Sequence, residues 1–214
     1  MLRNIVGQSR SGFSIKRVMD ENQILLVNLA KGQIGSDNAN FLGSLIVTMI
    51  VGQAMRRGAI PEEQRVPFHL WIDEFQNFTT DVFGEIVSDA RKYGLRLGVA
   101  HQTLDQVTKP VLAQILKNAE VLTAFGVSFE DADRLQSSFR PLRSEALSDT
   151  RIGDFYVRTT TSEPWLVSGY PPESLDGFMQ NSFERVRKNT RWRFSKSRQV
   201  VQKDLENWYA NGMV

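Results

Sequence analysis

Short apolar runs alternate with longer stretches of helical periodicity along most of this chain. Such runs are typical of strands buried on both faces of a parallel sheet, and they occupy residues 24–29, 68–72, 95–99 and 121–127. Apolar residues recur at helical spacing in residues 38–55, 81–93, 110–117 and 129–139. This alternation predicts an α/β fold, with a mainly parallel sheet and flanking helices.

The last third of the chain has a different pattern. Residues 154–159 and 165–168 fit two edge strands that form a hairpin, and a helix should include residues 200–208. We therefore divide the chain into a lead-in (1–23), a main α/β segment (24–172) and a helical extension rich in basic and aromatic residues (173–214).

The longest uncharged stretch, residues 38–55, raises the question of a membrane span. It carries five polar side chains, which make it too polar for a comfortable span: Asn38, Asn40, Ser44, Thr48 and Gln53. We predict a buried helix that ends near Gly58. The first residues lack the apolar core of a signal peptide, so we predict a cytoplasmic protein without a membrane segment of its own.

Composition narrows the function classes further. With 41% hydrophobic and 23% charged residues, the 214-residue chain is globular. It has no cysteine and only two histidines, His69 and His101, which excludes disulfides, thiolate metal sites and histidine-rich metal centres. The net charge of +2 is uneven, because residues 185–198 hold seven basic side chains and no acid.

A glycine-rich stretch near the start has the spacing of a nucleotide-binding phosphate loop. It runs from Gly7 to Ser14, but Phe13 stands where that motif requires lysine. The lysine supplies the charge that binds the β- and γ-phosphates. We therefore predict an ordinary polar loop at residues 7–14.

Two adjacent acids, Asp73 and Glu74, follow the run at residues 68–72. Nucleotide-hydrolysing α/β proteins present carboxylates in this way, at the carboxyl edge of the sheet. There Asp73 would hold Mg²⁺, and Glu74 would orient or deprotonate the attacking water. The alternative is that both acids only begin a solvated loop.

Gln102 and Arg91 extend this candidate site. Gln102 follows the strand at residues 95–99, where an amide can sense the γ-phosphate, although it can also cap the strand end. Arg91 lies in the last turn of the helix predicted at residues 81–93. It can act as an arginine finger on a neighbouring subunit's nucleotide, or simply offset the helix dipole.

Basic and aromatic residues interleave in the extension. They can contact phosphates and stack on bases, or they can form a solvated helix that docks on its own domain. The candidate nucleic-acid residues are Arg187, Lys188, Arg191, Trp192 and Arg193.

Three blocks together resemble a known family. They are ILLVNLAKGQIG, PFHLWIDEFQNF and DARKYGLRLGVAHQTLDQV, within residues 24–140. In this order and spacing they resemble the C-terminal half of HerA/FtsK-like motor ATPases of RecA-like fold, in particular the type IV secretion coupling proteins of the TraG/TraD-like class.

The resemblance implies an ATP- and Mg²⁺-dependent motor that moves DNA as a homo-hexamer and works with conjugation components at the inner-membrane face. Asp73 and Glu74 would then be the Walker B pair, Gln102 the sensor and Arg91 the finger. These families carry the phosphate loop (P-loop) in an N-terminal half, whereas the resemblance here begins near the middle of the motor. We therefore expect a fragment, a split subunit with a P-loop-bearing partner, or a decayed copy, without tight ATP binding of its own.

Two hypotheses follow. Either the chain is the C-terminal part of a DNA-translocating ATPase, or it is a non-catalytic RecA-like remnant that serves as an assembly or DNA-binding module.

Overall fold

The computed structural model describes residues 2–78, 89–170 and 177–210, with the backbone alone for 177–180. The chain divides into two compact units, one made of residues 1–42 and 173–214 and the other of residues 43–172. The proposed division of the chain by role stays a prediction. Most of the helix predicted at residues 81–93 lies outside the described residues.

The unit of residues 43–172 contains a parallel strand pair. Strands β1 (Phe68–Ile72) and β2 (Leu95–Val99) pair in parallel from Phe68 opposite Leu95 to Ile72 opposite Val99. The predicted α/β class, with parallel strands and flanking helices, is confirmed.

The later elements of this unit form a second, antiparallel sheet with the order β3–β4–β5. The β4–β5 hairpin has the predicted bounds. The run predicted at residues 121–127 forms a shorter strand, which pairs with β4 rather than extending the parallel pair. The elements, in chain order, are α5 (Lys109–Asn118), β3 (Val121–Ala124), α6 (Phe129–Gln136), α7 (Ser144–Ser148), β4 (Asp154–Thr159) and β5 (Trp165–Ser168).

The other unit is helical. Its buried side chains come from the second, fourth and last helices, and they include Met19, Ala39 and Leu205. Ser14 caps the second helix by accepting the N–H of Arg17 at 3.3 Å. The helices are α1 (Leu2–Val6), α2 (Ile15–Asp20), α3 (Lys31–Ile34), the start of α4 (Ser36–Met55), α8 (Gly177–Phe194) and α9 (Arg198–Ala210).

The prediction of a strand at residues 24–29 is wrong. This stretch is extended but pairs with no strand in the described part of the chain, and Ile24 and Leu26 are 88% and 83% exposed. The apolar pattern signals a segment suited to burial, whereas a strand also needs a neighbour that satisfies its backbone N–H and C=O groups.

Helix α4 matches the helix predicted from the uncharged stretch, and a 3₁₀ turn, Arg56–Ala59, follows it. Residues 36–59 are, within the described residues, the one helical segment with the length and composition of a membrane span. Its side chains divide between two environments. Leu42, Ile50 and Ala54 are buried, whereas Phe41 and Met49 are exposed.

The loop at residues 7–14 has phosphate-loop spacing, and close packing explains one of its glycines. A Cβ atom on Gly12 would lie 2.5 Å from the carbonyl oxygen of Phe194, at the end of α8. Only glycine allows this approach of two backbone segments. The spacing therefore reflects packing within this unit at Gly12.

We predict that Gly12→Ala lowers the free energy of unfolding by about 1–3 kcal/mol, because the added methyl group must displace backbone. Urea denaturation measures the change. The matched control is Gly52→Ala in α4, where a Cβ atom meets nothing within 4 Å, so stability should stay the same or rise. Equal stability of Gly12→Ala and wild type would contradict the packing explanation.

Candidate functional site

Parallel pairing brings the residues that follow β1 and β2 to one edge of the sheet. Backbone hydrogen bonds continue past the strands, since Ala100 N–H donates to Ile72 O at 2.9 Å and Phe75 N–H donates to Ala100 O at 3.0 Å. The segment with Asp73 and Glu74 is therefore tied directly to the segment that leads into Gln102.

The Glu74 carboxylate accepts hydrogen bonds from two side-chain amides. Gln102 Nε2 donates to Glu74 Oε1, and Gln76 Nε2 donates to Glu74 Oε2 at 2.6 Å. Glu74 and Gln76 are half-buried, whereas Gln102 is exposed. Two predicted site residues thus contact each other, and Gln76 joins them.

The backbone of Glu74 is in the left-handed region, with φ 50° and ψ 43°. A non-glycine residue pays about 1–2 kcal/mol for this conformation. Local hydrogen bonds hold the turn, because Asp73 Oδ1 accepts the N–H of Glu74 at 2.9 Å and Asn77 Nδ2 donates to Glu74 O at 3.0 Å. The fully buried Phe75 anchors it. Strain of this kind is characteristic of functional sites.

Asp73 is exposed beside this turn. Mg²⁺ in nucleotide sites is typically held by one or two carboxylates and by the phosphates of the substrate. Within the described ranges, no three His, Asp or Glu side chains cluster closely enough to hold a metal ion. The residues therefore fit a metal held jointly by Asp73 and phosphates, and they do not fit an all-protein metal cage.

His101 immediately precedes Gln102 and is half-buried, with its ring edge-to-face against Phe75 at a centroid distance of 5.2 Å. Burial lowers the pKa of His101, and the negative charges of Asp131 and Glu74 oppose this shift. Asp131 is itself buried and accepts the N–H of Leu104 at 3.2 Å, which fixes the chain just after Gln102.

Arg91 lies away from this cluster. It belongs to a 3₁₀ turn, Ala90–Tyr93, at the amino end of β2, so one strand length of about 16 Å separates it from the carboxyl edge. Its exposed guanidinium forms an ion pair with Glu120. The structure thus brings Glu74 and Gln102 together, with Asp73 adjacent, and places Arg91 at the opposite edge.

Sequence reasoning missed Gln76, although it stands two residues after Glu74. The sequence signal that could have identified Gln76 is an amide side chain in the turn that follows two acids. Its contact with Glu74 depends on the left-handed backbone, which apolar periodicity does not encode. The predicted nucleic-acid residues belong to α8, in the other unit.

No family model matches the chain, and no curated protein matches it. Three solved structures with a similar fold are forms of the coupling protein TrwB. The complex with the GTP analogue GDPNP is 15% identical, with a TM-score of 0.56 over 75% of this chain and 44% of that chain. The complex with the ATP analogue ADPNP is 17% identical, with a TM-score of 0.54 and the same coverage. An unbound form, TrwBdeltaN70, is 15% identical, with a TM-score of 0.52 over 64% and 39%.

At these identities the likeness shows the fold alone. The predicted α/β fold is shared with the TrwB chains, and this chain spans less than half of their length.

We predict that the stability of the protein falls as His101 is protonated. Because the pKa of His101 is lowered from 6.5 on folding, the unfolded chain takes up the proton first as the pH falls. Stability is then fully present above pH 6.5 and is lost below it. Urea midpoints at about pH 7.5 and 5.5 should differ less in His101→Gln than in wild type. His69→Gln, which alters the exposed histidine, is the control, and an unchanged pH dependence in His101→Gln would contradict the prediction.

A second prediction concerns the strain at Glu74. Both Glu74→Gly and Glu74→Ala remove the carboxylate, but only glycine accepts the left-handed backbone freely. Glu74→Gly should therefore be more stable than Glu74→Ala by about 1 kcal/mol in urea denaturation. At the control position Glu145, inside helix α7, the order should reverse. Greater stability of Glu74→Ala than of Glu74→Gly would show that Glu74 is not strained.

Proposed function

We propose that this chain is the C-terminal part of a DNA-translocating motor ATPase of the coupling-protein type. The observation that carries this proposal is the hydrogen bond between Glu74 and Gln102, which joins the carboxyl ends of two adjacent parallel strands. Nucleotides bind at this edge in open α/β sheets. A carboxylate and an amide in contact there match a water-activating group and a phosphate sensor.

Each polar side chain then has a distinct role. Glu74 orients the attacking water and accepts its proton, while Gln76 keeps the carboxylate in place from the other side. Gln102 exchanges its bond to Glu74 for one to the γ-phosphate, which couples the state of the nucleotide to the loop after β2. Asp73 would hold Mg²⁺, which neutralises charge on the phosphates.

Arg91 serves a neighbouring subunit in this proposal. Its position at the opposite edge favours action on a neighbouring subunit's nucleotide over action on the nucleotide beside its own Glu74. An exposed ion pair such as the one with Glu120 contributes only about 0–1 kcal/mol, so the guanidinium can leave Glu120 for another subunit's phosphates at little cost. This role requires a ring, such as a homo-hexamer, and a phosphate loop from another segment or a partner chain.

The remaining features of the proposal concern the complete motor to which this chain would belong. It would move DNA and contact conjugation or secretion components from the cytoplasmic side of the inner membrane. The fold shared with TrwB, whose solved forms include nucleotide-analogue complexes, supports this assignment.

One observation favours a non-catalytic module instead. The loop at residues 7–14 has Phe13 in place of the phosphate-binding lysine, and its Gly12 is explained by packing against Phe194. No other stretch of the sequence combines that glycine spacing with lysine. In a non-catalytic remnant of the fold, the Glu74–Gln102 contact would only stabilise the structure and would take no part in hydrolysis.

We predict that the purified chain binds a fluorescent ATP analogue weakly and only with Mg²⁺. Asp73→Ala should lower the affinity about 10–100-fold, because it removes the metal-holding carboxylate. Asp149→Ala removes an exposed acid that follows α7, and it should leave the affinity unchanged. A fluorescence titration measures all three proteins.

Equal binding by Asp73→Ala and wild type would contradict the motor proposal in favour of the module. The absence of binding at millimolar nucleotide would agree with a split or remnant motor whose phosphate loop lies in another segment or a partner chain. Once a phosphate loop completes the motor, Glu74→Gln should abolish ATP turnover and preserve nucleotide binding. The module hypothesis expects no consequence from that substitution.

A further inference from the structure

Helix α8 is exposed along nearly its whole described length. From residue 181 to residue 194, every side chain except Ser182 is exposed. Four of these side chains are large and apolar or aromatic. Such exposed groups on one helix indicate an interaction surface rather than a purely solvated face. They are Phe183, Val186, Trp192 and Phe194, with exposed fractions of 61%, 55%, 84% and 48%.

The four exposed apolar residues do not all lie on one side of the helix. At 100° per residue, Trp192 lies on the same side as Lys188 and Arg185, at the spacing i, i+3, i+7. Phe183 and Phe194 lie on the other side of the helix. We call Arg185, Lys188 and Trp192 the basic–indole stripe. It is a different set from the linear run of candidates chosen from the sequence, because it includes Arg185.

The charge of this helix is largely uncompensated. Residues 181–194 contain five basic side chains and one acid, Glu184, which pairs with Arg187 at 2.8 Å. Within the described residues, Arg185 and Lys188 form no ion pair. The stripe therefore presents two cations and an indole to solvent.

We infer that the basic–indole stripe binds single-stranded nucleic acid. An exposed indole can stack on an unpaired base of any identity, and flanking cations contact the phosphates on either side of it. The stripe runs about 10 Å along the helix, so the cations and the ring meet successive parts of one strand. This contact lies outside the nucleotide site and does not depend on ATP hydrolysis.

An anionic membrane surface is the competing partner for a basic helix, but the arrangement of side chains disfavours it. A helix that lies in the membrane interface gathers its aromatic residues on the apolar face and its cations on the other. In α8 the indole stands among the cations, and Thr190 interrupts the opposite face between Val186 and Phe194. Stacking between phosphate contacts uses the observed arrangement, whereas insertion into lipid does not.

The test measures binding of the full chain to a fluorescent oligothymidylate of about 16 nucleotides by anisotropy at several salt concentrations. Trp192→Ala should weaken binding about 5–100-fold with an unchanged salt slope, because it removes stacking only. Lys188→Gln should instead reduce the salt slope by about 0.7, the value of one lost phosphate contact on a single strand. These side chains are exposed, so neither variant should unfold the protein.

Matched controls use the same substitutions elsewhere. Trp208→Ala removes a half-exposed indole from α9, and Lys109→Gln removes an exposed cation from α5; both should bind like wild type. Glu74→Gln should also bind normally, which separates this proposal from the proposed function.

Three results would overturn the inference. They are wild-type affinity in Trp192→Ala, equal weakening by Trp208→Ala, and binding to phosphatidylglycerol vesicles without binding to oligothymidylate. The last would identify α8 as a membrane-surface helix.

Discussion

The parallel pairing of β1 with β2 is the constraint on which the candidate site depends. Its ladder continues beyond the strands through the hydrogen bonds of Ala100 to Ile72 and of Phe75 to Ala100. Because parallel strands end at the same edge, one register decides that Glu74 meets Gln102, 28 residues later. The fully buried Phe75 then anchors the turn. A shift of one residue would turn the side chains of either strand to the opposite face and separate the carboxylate from the amide.

The backbone conformation of the turn at Glu74 lowers the stability of the protein, but it positions the carboxylate. Its left-handed backbone costs free energy, and the carboxylate is held by two amides that are themselves partly or fully exposed. Hydrogen bonds to a charged group are each worth about 1.5–3 kcal/mol, enough to offset the strain. Gln102 and Gln76 differ in this respect. Gln76 lies within the same turn and moves with it, whereas Gln102 belongs to the loop after β2. Only the bond from Gln102 joins the ends of the two strands, as the proposed role of phosphate sensor requires.

The sequence predicts best those features that are encoded locally. The β4–β5 hairpin, the strand before the acids and the helix from the uncharged stretch follow from apolar periodicity alone. Residues 24–29 have the strongest strand pattern, yet they pair with no described strand, because periodicity reports suitability for burial and not the presence of a neighbour. The same limit explains β3, whose pattern fits parallel and antiparallel pairing alike. The proximity of Glu74 and Gln102 was predictable from strand ends, whereas the part of Gln76 was not, since it depends on a positive φ at a glutamate.

The two proposals rest on electrostatics of different kinds, and this difference makes them separable. Glu74 is half-buried and held at hydrogen-bond distance by neutral amides, an arrangement that salt screens only weakly. The basic–indole stripe has no such enclosure, and its affinity for a polyanion would come largely from counterion release, which falls steeply with salt. Raising the ionic strength should therefore remove the contribution of Arg185 and Lys188 while leaving the geometry at Glu74 intact. A residual, salt-insensitive affinity for nucleic acid would then measure stacking on Trp192, the part of the interaction that charge alone cannot supply.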